Sequence, residues 1–192
     1  MKCAVIGGSH LADDLPEAQR SAYGQLGAWM AGEGIEVLTG SCWGYPLLVA
    51  QGCMAAGGSS IGYSPAADLE EDRTVYGHPD TGSTGHVFLD AGIQSPNARL
   101  LMRSIPLIED ADAVVSIQGN WGTLMEQATA IVCDKPLVVL EPSGGASALF
   151  GQVYAALAPE NRNDYGRKVA FVQDTEQLKG MLGHLRATGK LA

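Results

Sequence analysis

The residues best suited to chemistry fall in one short run, Gln118-Gly119-Asn120-Trp121-Gly122-Thr123-Leu124-Met125-Glu126. It follows Ala111-Asp112-Ala113-Val114-Val115-Ser116-Ile117, an apolar, β-branched stretch that reads as a buried strand. A helical pattern then runs from Gly122 to about Cys133. Gly119 and Gly122 allow backbone angles and close approach that a side chain would block. Free N–H groups at a helix start, together with the helix dipole, favour an anion. Thr123 adds a hydroxyl, Asn120 sits in the turn, and Glu126 lies about one turn into the helix. Donors for a phosphate beside an acceptor for a ribose suit a sugar phosphate. The bare alternative is a βα turn that needs glycine only for tightness.

Two further glycine turns follow strands. Gly7-Gly8-Ser9-His10 closes a strand over Lys2 to Ile6, and Gly40-Ser41-Cys42-Trp43-Gly44-Tyr45-Pro46 closes one over Ile35 to Thr39. Gly8, Ser9, Gly40 and Gly44 are therefore candidate ligand-binding positions beside Gly119, Asn120, Gly122 and Thr123. A helix beginning at Ser95-Pro96 carries Arg99 and Arg103, four apart and so on one face. Pro106 should kink or end it. This segment runs straight into the strand before the central turn, so either arginine is a candidate for the same pocket.

The elements needed to position these groups are legible as alternating strands and helices. Further strands are expected over Ser60 to Tyr63, His86 to Asp90, Pro136 to Leu140 and Lys168 to Val172. Helices are expected from Pro16 to Gly32, Pro46 to Ala56, Ala146 to Ala158 and Thr175 to Ala187. Tyr23, Leu26, Trp29 and Met30 share a helix face and read as core. Such alternation specifies an α/β fold: a doubly wound, mainly parallel sheet with helices on both faces. In that architecture ligands bind beyond the carboxyl ends of the strands, at a topological switch point. Three glycine turns after strands can line one such crevice. Residues 66–85 are polar and lack periodicity, and read either as a lid or as a disordered excursion.

The 192 residues, 46% hydrophobic, suffice for one domain over 1–192 with a sizeable core. The net charge of −9 argues against a nucleic-acid partner, which needs a basic footprint, but allows a small anionic ligand in a local nest of N–H groups. No apolar run has membrane-spanning length, and the N-terminus is broken by glycine too early for a signal peptide. A cytoplasmic protein without a membrane partner is expected. Cys3, Cys42, Cys53 and Cys133 form no Cys-x-x-Cys pair, so they read as small buried hydrophobes in a reducing compartment, with no metal site.

The chain resembles the LOG family, long labelled "lysine decarboxylase-like", within a wider Rossmann-type nucleotide-binding superfamily. That family's hallmark is a strand followed by Pro-Gly-Gly-x-Gly-Thr-x-x-Glu, matched here by Gln118 through Glu126. The family arginine, nine residues before the aspartate of its Ala-Asp-Ala strand start, corresponds to Arg103. Gly7-Gly8-Ser9, Tyr23, Leu26-Gly27, Gly40 with Gly44, Gly57-Gly58 and Ile61-Gly62 with Pro65 extend the similarity over residues 1 to 140. It departs at Gln118, where the family has proline, at Asn120, where it has glycine, and at Ser41-Cys42, where two more glycines are expected.

The resemblance implies a Rossmann-like fold and hydrolysis of the N-glycosidic bond of a nucleoside 5′-monophosphate to base and ribose 5-phosphate. Glu126 and Arg103 would be its catalytic pair. Main-chain N–H groups at Gly119 and from Gly122 to Thr123 would hold the phosphate, without metal or cofactor. It further implies a homodimer acting on a small nucleotide ligand. The same superfamily contains molybdenum-cofactor carriers, so the alternative is a non-catalytic nucleotide or cofactor-binding protein, which the changes at Gln118 and Asn120 favour.

Overall fold

The computed structural model describes residues 1–89, 92–157 and 168–191. Seven strands form one parallel sheet: β1 (Lys2–Gly7), β2 (Glu36–Thr39), β3 (Ser60–Ser64), β4 (Gly85–Phe88), β5 (Ala113–Ile117), β6 (Leu137–Leu140) and β7 (Val169–Val172). Their order is β4-β3-β2-β1-β5-β6-β7. The chain thus builds outward in one direction from β1 and in the other from β5. The reversal between these two places the ligand crevice over their carboxyl ends. β1 and β5 pair in register from Cys3 with Ala113 to Gly7 with Ile117.

Eight α-helices are described: α1 (Glu17–Gly32), α2 (Tyr45–Ala55), α3 (Leu69–Thr74), α4 (Pro96–Met102), α5 (Ser104–Glu109), α6 (Trp121–Val132), α7 (Gly145–Leu157) and α8 (Thr175–Thr188). Alternate strand residues enter two separate cores. Cys3, Val5, Val37, Val115 and Val138 pack with side chains of α1, α2 and α8. Ala4, Ile6, Leu38, Val114 and Val139 pack with those of α5, α6 and α7. Burial on both faces explains why these strands read as continuous apolar runs rather than as alternating ones. The expected α/β architecture, doubly wound with helices on both faces, is what forms, and its sheet is wholly parallel.

Pro106, expected to kink or end the helix that starts at Ser95, does interrupt it, since it has no N–H for the carbonyl of Met102 and its ring crowds that carbonyl. α4 ends at Met102, and α5 restarts at Ser104. Residues 66–85 are not without regular structure. Asp68 caps α3, its carboxylate accepting from the Glu71 N–H at 2.9 Å, while the Glu71 carboxylate accepts from the Ala67 N–H at 2.6 Å. This reciprocal pattern is a helix-start signal hidden in a uniformly polar stretch. The strand expected to Asp90 and the helix expected to Ala158 both end on positions outside the described residues.

The crossing of α1 and α2 depends on glycine. A Cβ on Gly27 would lie 1.9 Å from the Val49 carbonyl oxygen, and one on Gly52 would lie 2.0 Å from that of Gly24. A Cβ on Gly24 itself meets nothing within 4 Å. Gly27→Ala should therefore cost about 1–3 kcal/mol by forcing backbone apart. Gly24→Ala should add about 0.5–1 kcal/mol through helix propensity alone. Urea denaturation midpoints check both, and a Gly27→Ala chain as stable as the parent would show that the helices simply slide apart.

Candidate functional site

β5 delivers the chain into a turn of uncommon geometry. Gln118 has φ +58°, and Gly119 has φ +99°. A left-handed angle at a non-glycine residue costs energy, and here neighbours hold it. The Gln118 N–H donates to Ser143 Oγ at 2.6 Å, and Ser147 Oγ donates to the Gln118 carbonyl at 3.0 Å. Proline, fixed near φ −65°, cannot adopt this angle, so the Gln118 departure changes the turn itself. Asn120 is extended, at φ −136°, and caps α6, its Oδ1 accepting from the Gly122 N–H at 3.3 Å. Gln118 Oε1 accepts from the Gly119 N–H. Two of the N–H groups expected to bind phosphate are therefore occupied by the two side chains that differ from the family pattern.

The buried stripe of α6 is Thr123, Glu126, Gln127 and Ala130, so its polar side chains face inward. Glu126 meets Arg103 and Ser104 at the break between α4 and α5. Ser104 Oγ donates to Glu126 Oε1 at 2.7 Å, and Arg103 Nη1 lies 3.5 Å from the same oxygen. Arg103 keeps helical dihedrals, φ −66° and ψ −23°, between α4 and α5, and it and Ser104 both reach one carboxylate. The guanidinium lies across Gly40, where a Cβ would sit 1.7 Å from Arg103 Nη1. Gly40 is thus required as space rather than as a ligand donor.

These groups open into a cavity of about 480 Å³. Its polar floor is Arg103, Ser104 and Glu126, flanked by Asn120, Gly122 and Thr123 at the start of α6. Ser9, His10 and Cys42 close one side, and Trp43, Tyr76 and His78 form an aromatic wall. Of the expected glycines, Gly8, Gly40, Gly44 and Gly119 do not line it. Gly8 and Gly44 lie against each other, where a Cβ on Gly44 would come 2.1 Å from the Gly8 carbonyl oxygen. Gly119 packs on the Thr123 side chain. Arg99 turns away from the cavity to pair with Glu71 of α3 at 2.7 Å. The α3 carboxylate captures it, which leaves Arg103 as the arginine of this floor. Tyr76 and His78 were missed because they come from the polar 66–85 stretch. A histidine and a tyrosine two apart were the signal available.

Residues 1–178 match the SLOG cluster4 family. The chain belongs to that family. The X-ray structure of TM1055, a structural genomics target, shares 26% identity, with TM-score 0.73 over 95% of this chain and 98% of that one. The molybdenum cofactor binding protein from the phototrophic bacterium Rippkaea orientalis shares 20% identity, with TM-score 0.71 over 96% of each chain. The molybdenum cofactor carrier protein from Chlamydomonas reinhardtii shares 20%, with TM-score 0.65 over 97% of this chain and 98% of that one. No curated protein sequence matches the chain. Among the described residues, no helix is long and apolar enough to cross a membrane.

In this SLOG cluster4 chain the floor carboxylate is electrostatically costly. Burial pushes the Glu126 carboxyl above its ordinary 4.5, and Arg103 and Ser104 offset only part of that. Burial also pushes the Cys42 thiol up, with Arg103 opposing. The folded chain consequently holds a proton on Glu126 more tightly than the unfolded chain does, so this group adds stability as pH falls. The parent should gain stability relative to Glu126→Gln on acidification from neutral pH, the gain levelling off below 4.5. Urea titrations of both chains across that range test this. A stability difference that does not change with pH would mean that Glu126 titrates as an ordinary carboxylate.

Proposed function

We propose that this SLOG cluster4 chain hydrolyses the N-glycosidic bond of a nucleoside 5′-monophosphate, releasing base and ribose 5-phosphate. The observation that carries this reading is the meeting of Arg103 and Glu126 on the floor of one cavity at the switch point of the sheet. Breaking a glycosidic bond builds positive charge on the sugar ring. A preorganised carboxylate in a water-poor site stabilises such charge strongly. Glu126 faces the ribose, orients the attacking water and takes its proton. A raised pKa makes it the more effective base. Arg103 fixes the substrate against the floor, and the start of α6 receives the phosphate.

A second reading, non-catalytic binding of a nucleotide or of molybdenum cofactor, has its own support. Gln118 and Asn120 occupy N–H groups that a phosphate would otherwise use, and two solved relatives of the fold are named for that cofactor. Under either reading the chain works as one domain and as a homodimer. Exposed Leu101, Met102 and Ile105, beside the cavity, are the surface we assign to that contact.

A panel of nucleoside 5′-monophosphates, followed by chromatography of the free base, tests the hydrolase. Glu126→Ala should reduce base release at least about 100-fold. No release from any nucleotide, together with a thermal shift on binding one, would leave the binder. The state of the phosphate cradle is tested separately. Asn120→Gly costs the cap only a few tenths of a kcal/mol and frees the Gly122 N–H. It should tighten ribose 5-phosphate binding about tenfold by calorimetry, the worth of one charge-assisted hydrogen bond. Unchanged affinity would place the phosphate elsewhere in the cavity.

A further inference from the structure

The cavity contains a second buried acid–base pair, which the reaction as described does not use. His78 lines the aromatic wall, and its side chain is only 6% exposed. Its Nδ1 lies 2.7 Å from Asp72 Oδ1, and its main-chain N–H donates to the Asp72 carbonyl at 3.2 Å. Asp72, in α3, is 1% exposed and also accepts from Ser64 Oγ at the end of β3. A carboxylate on Nδ1 fixes the imidazole tautomer and steadies its charged form. Nε2 is then the ring nitrogen left for the cavity.

The same wall is held from the other side. Trp43 Nε1 donates to the carbonyl of Gly77 at 2.7 Å, tying the turn after β2 to the residue before His78. Tyr76 and His78 have ring centroids 5.7 Å apart. A cavity lined by aromatic side chains together with a carboxylate and a guanidinium matches a ligand with a planar heteroaromatic part and a sugar-phosphate part.

We infer that His78 is the base-side donor of this site: its Nε2–H meets a ring nitrogen of a planar heteroaromatic base lying against Trp43 and Tyr76, and passes the proton to that base as it departs. This rests on the hydrolase reading for its proton-transfer step, and on nucleotide binding alone for its contact. In the step, the C1′–N bond breaks and its electron pair goes to the base. The base takes the proton from His78 Nε2. Water oxygen bonds to C1′ and gives its proton to Glu126, and solvent then returns the two groups to their starting states. Asp72 and Ser64 are positioning residues. Burial raises the Asp72 carboxyl, but hydrogen bonds from His78 and Ser64, with the charges of His78 and His86, bring it below its ordinary 3.8. It therefore remains the anion an imidazolium needs. The groups around His78 are Asp72, Tyr76 and His86, with the Arg99–Glu71 pair beyond Tyr76 and the Arg103–Glu126 pair across the cavity.

The test compares adenosine 5′-monophosphate with 4-nitrophenyl ribofuranoside 5-phosphate, whose leaving group departs without a proton. On the nucleotide, His78→Gln should lose about 100-fold in kcat with little change in KM. The parent's fall in rate at higher pH should vanish in the variant. On the nitrophenyl substrate it should keep near-parental activity. Asp72→Asn should show the same split between substrates. Equal losses on both substrates, or a parental kcat on the nucleotide, overturn the proton donor. If the parent cleaves neither substrate, the hydrolase reading fails, and the contact is judged by calorimetry. His78→Phe should then weaken nucleotide binding about tenfold or more while leaving ribose 5-phosphate binding unchanged. Equal affinities for parent and variant would overturn it.

Discussion

The site depends on keeping a carboxylate and a guanidinium side by side out of water. Each ion loses several kcal/mol of hydration on burial, and their attraction offsets this only with good geometry and extra hydrogen bonds. Arg103 and Glu126 are 9% and 7% exposed. Two sequence features make their meeting feasible. Gly40 leaves a slot for the guanidinium, and Ser104 adds a donor to the same carboxylate oxygen. Even so, Glu126 remains harder to ionise than a free glutamate. The pair does not fully offset its own burial, which is how a polar arrangement retained for chemistry rather than stability behaves.

The turn after β5 shows the same logic in the backbone. Gln118 is held at a positive φ by Ser143 and Ser147, which flank the start of α7. Beneath it, Gln127 Nε2 donates to Ser116 Oγ at 2.8 Å, and Ser116 lies 3.0 Å from Ser147. α7 contributes nothing to the cavity wall, yet it supports the turn on which α6 begins. Strain at a ligand-facing loop persists only where its surroundings over-determine it, and here a buried polar network from three elements does so.

Much of this was legible in the sequence. Runs such as Ala113 to Ile117 and Leu137 to Leu140 announce strands buried on both faces. Glycines after β1, β2 and β5 mark the crevice, and the resemblance to the LOG family pairs Arg103 with Glu126. What was not legible came from competition between distant groups. Arg99 and Arg103 are equivalent on a continuous helix. In the structure Glu71, on a helix masked by polar composition, takes Arg99, and Glu126 takes Arg103. Asparagine tolerates a left-handed angle better than glutamine by propensity, yet the positive φ falls on Gln118 while the Asn120 side chain serves as the N-cap. His78 and Asp72 gave no periodic signal, since the fold of a short polar segment brings them to the wall.

Two buried carboxylates, Glu126 in the cavity and Asp72 behind His78, are driven apart by their environments. Glu126 sits among apolar packing with a guanidinium at 3.5 Å and one hydroxyl, and is raised. Asp72 accepts from an imidazole and a hydroxyl at once, and is lowered. Divergence of this kind separates acid from base in enzymes that use paired titratable groups. The group held low is suited to steady a cation beside it, and the group held high to accept a proton from water. A bond between a sugar and a base needs both: a proton delivered at the aromatic end and one removed at the polar end. The cavity has its aromatic wall beside Asp72 and its charged floor at Glu126. A nucleotide bound as proposed would meet a donor at its planar end and an acceptor at its sugar end, and only one orientation would satisfy both.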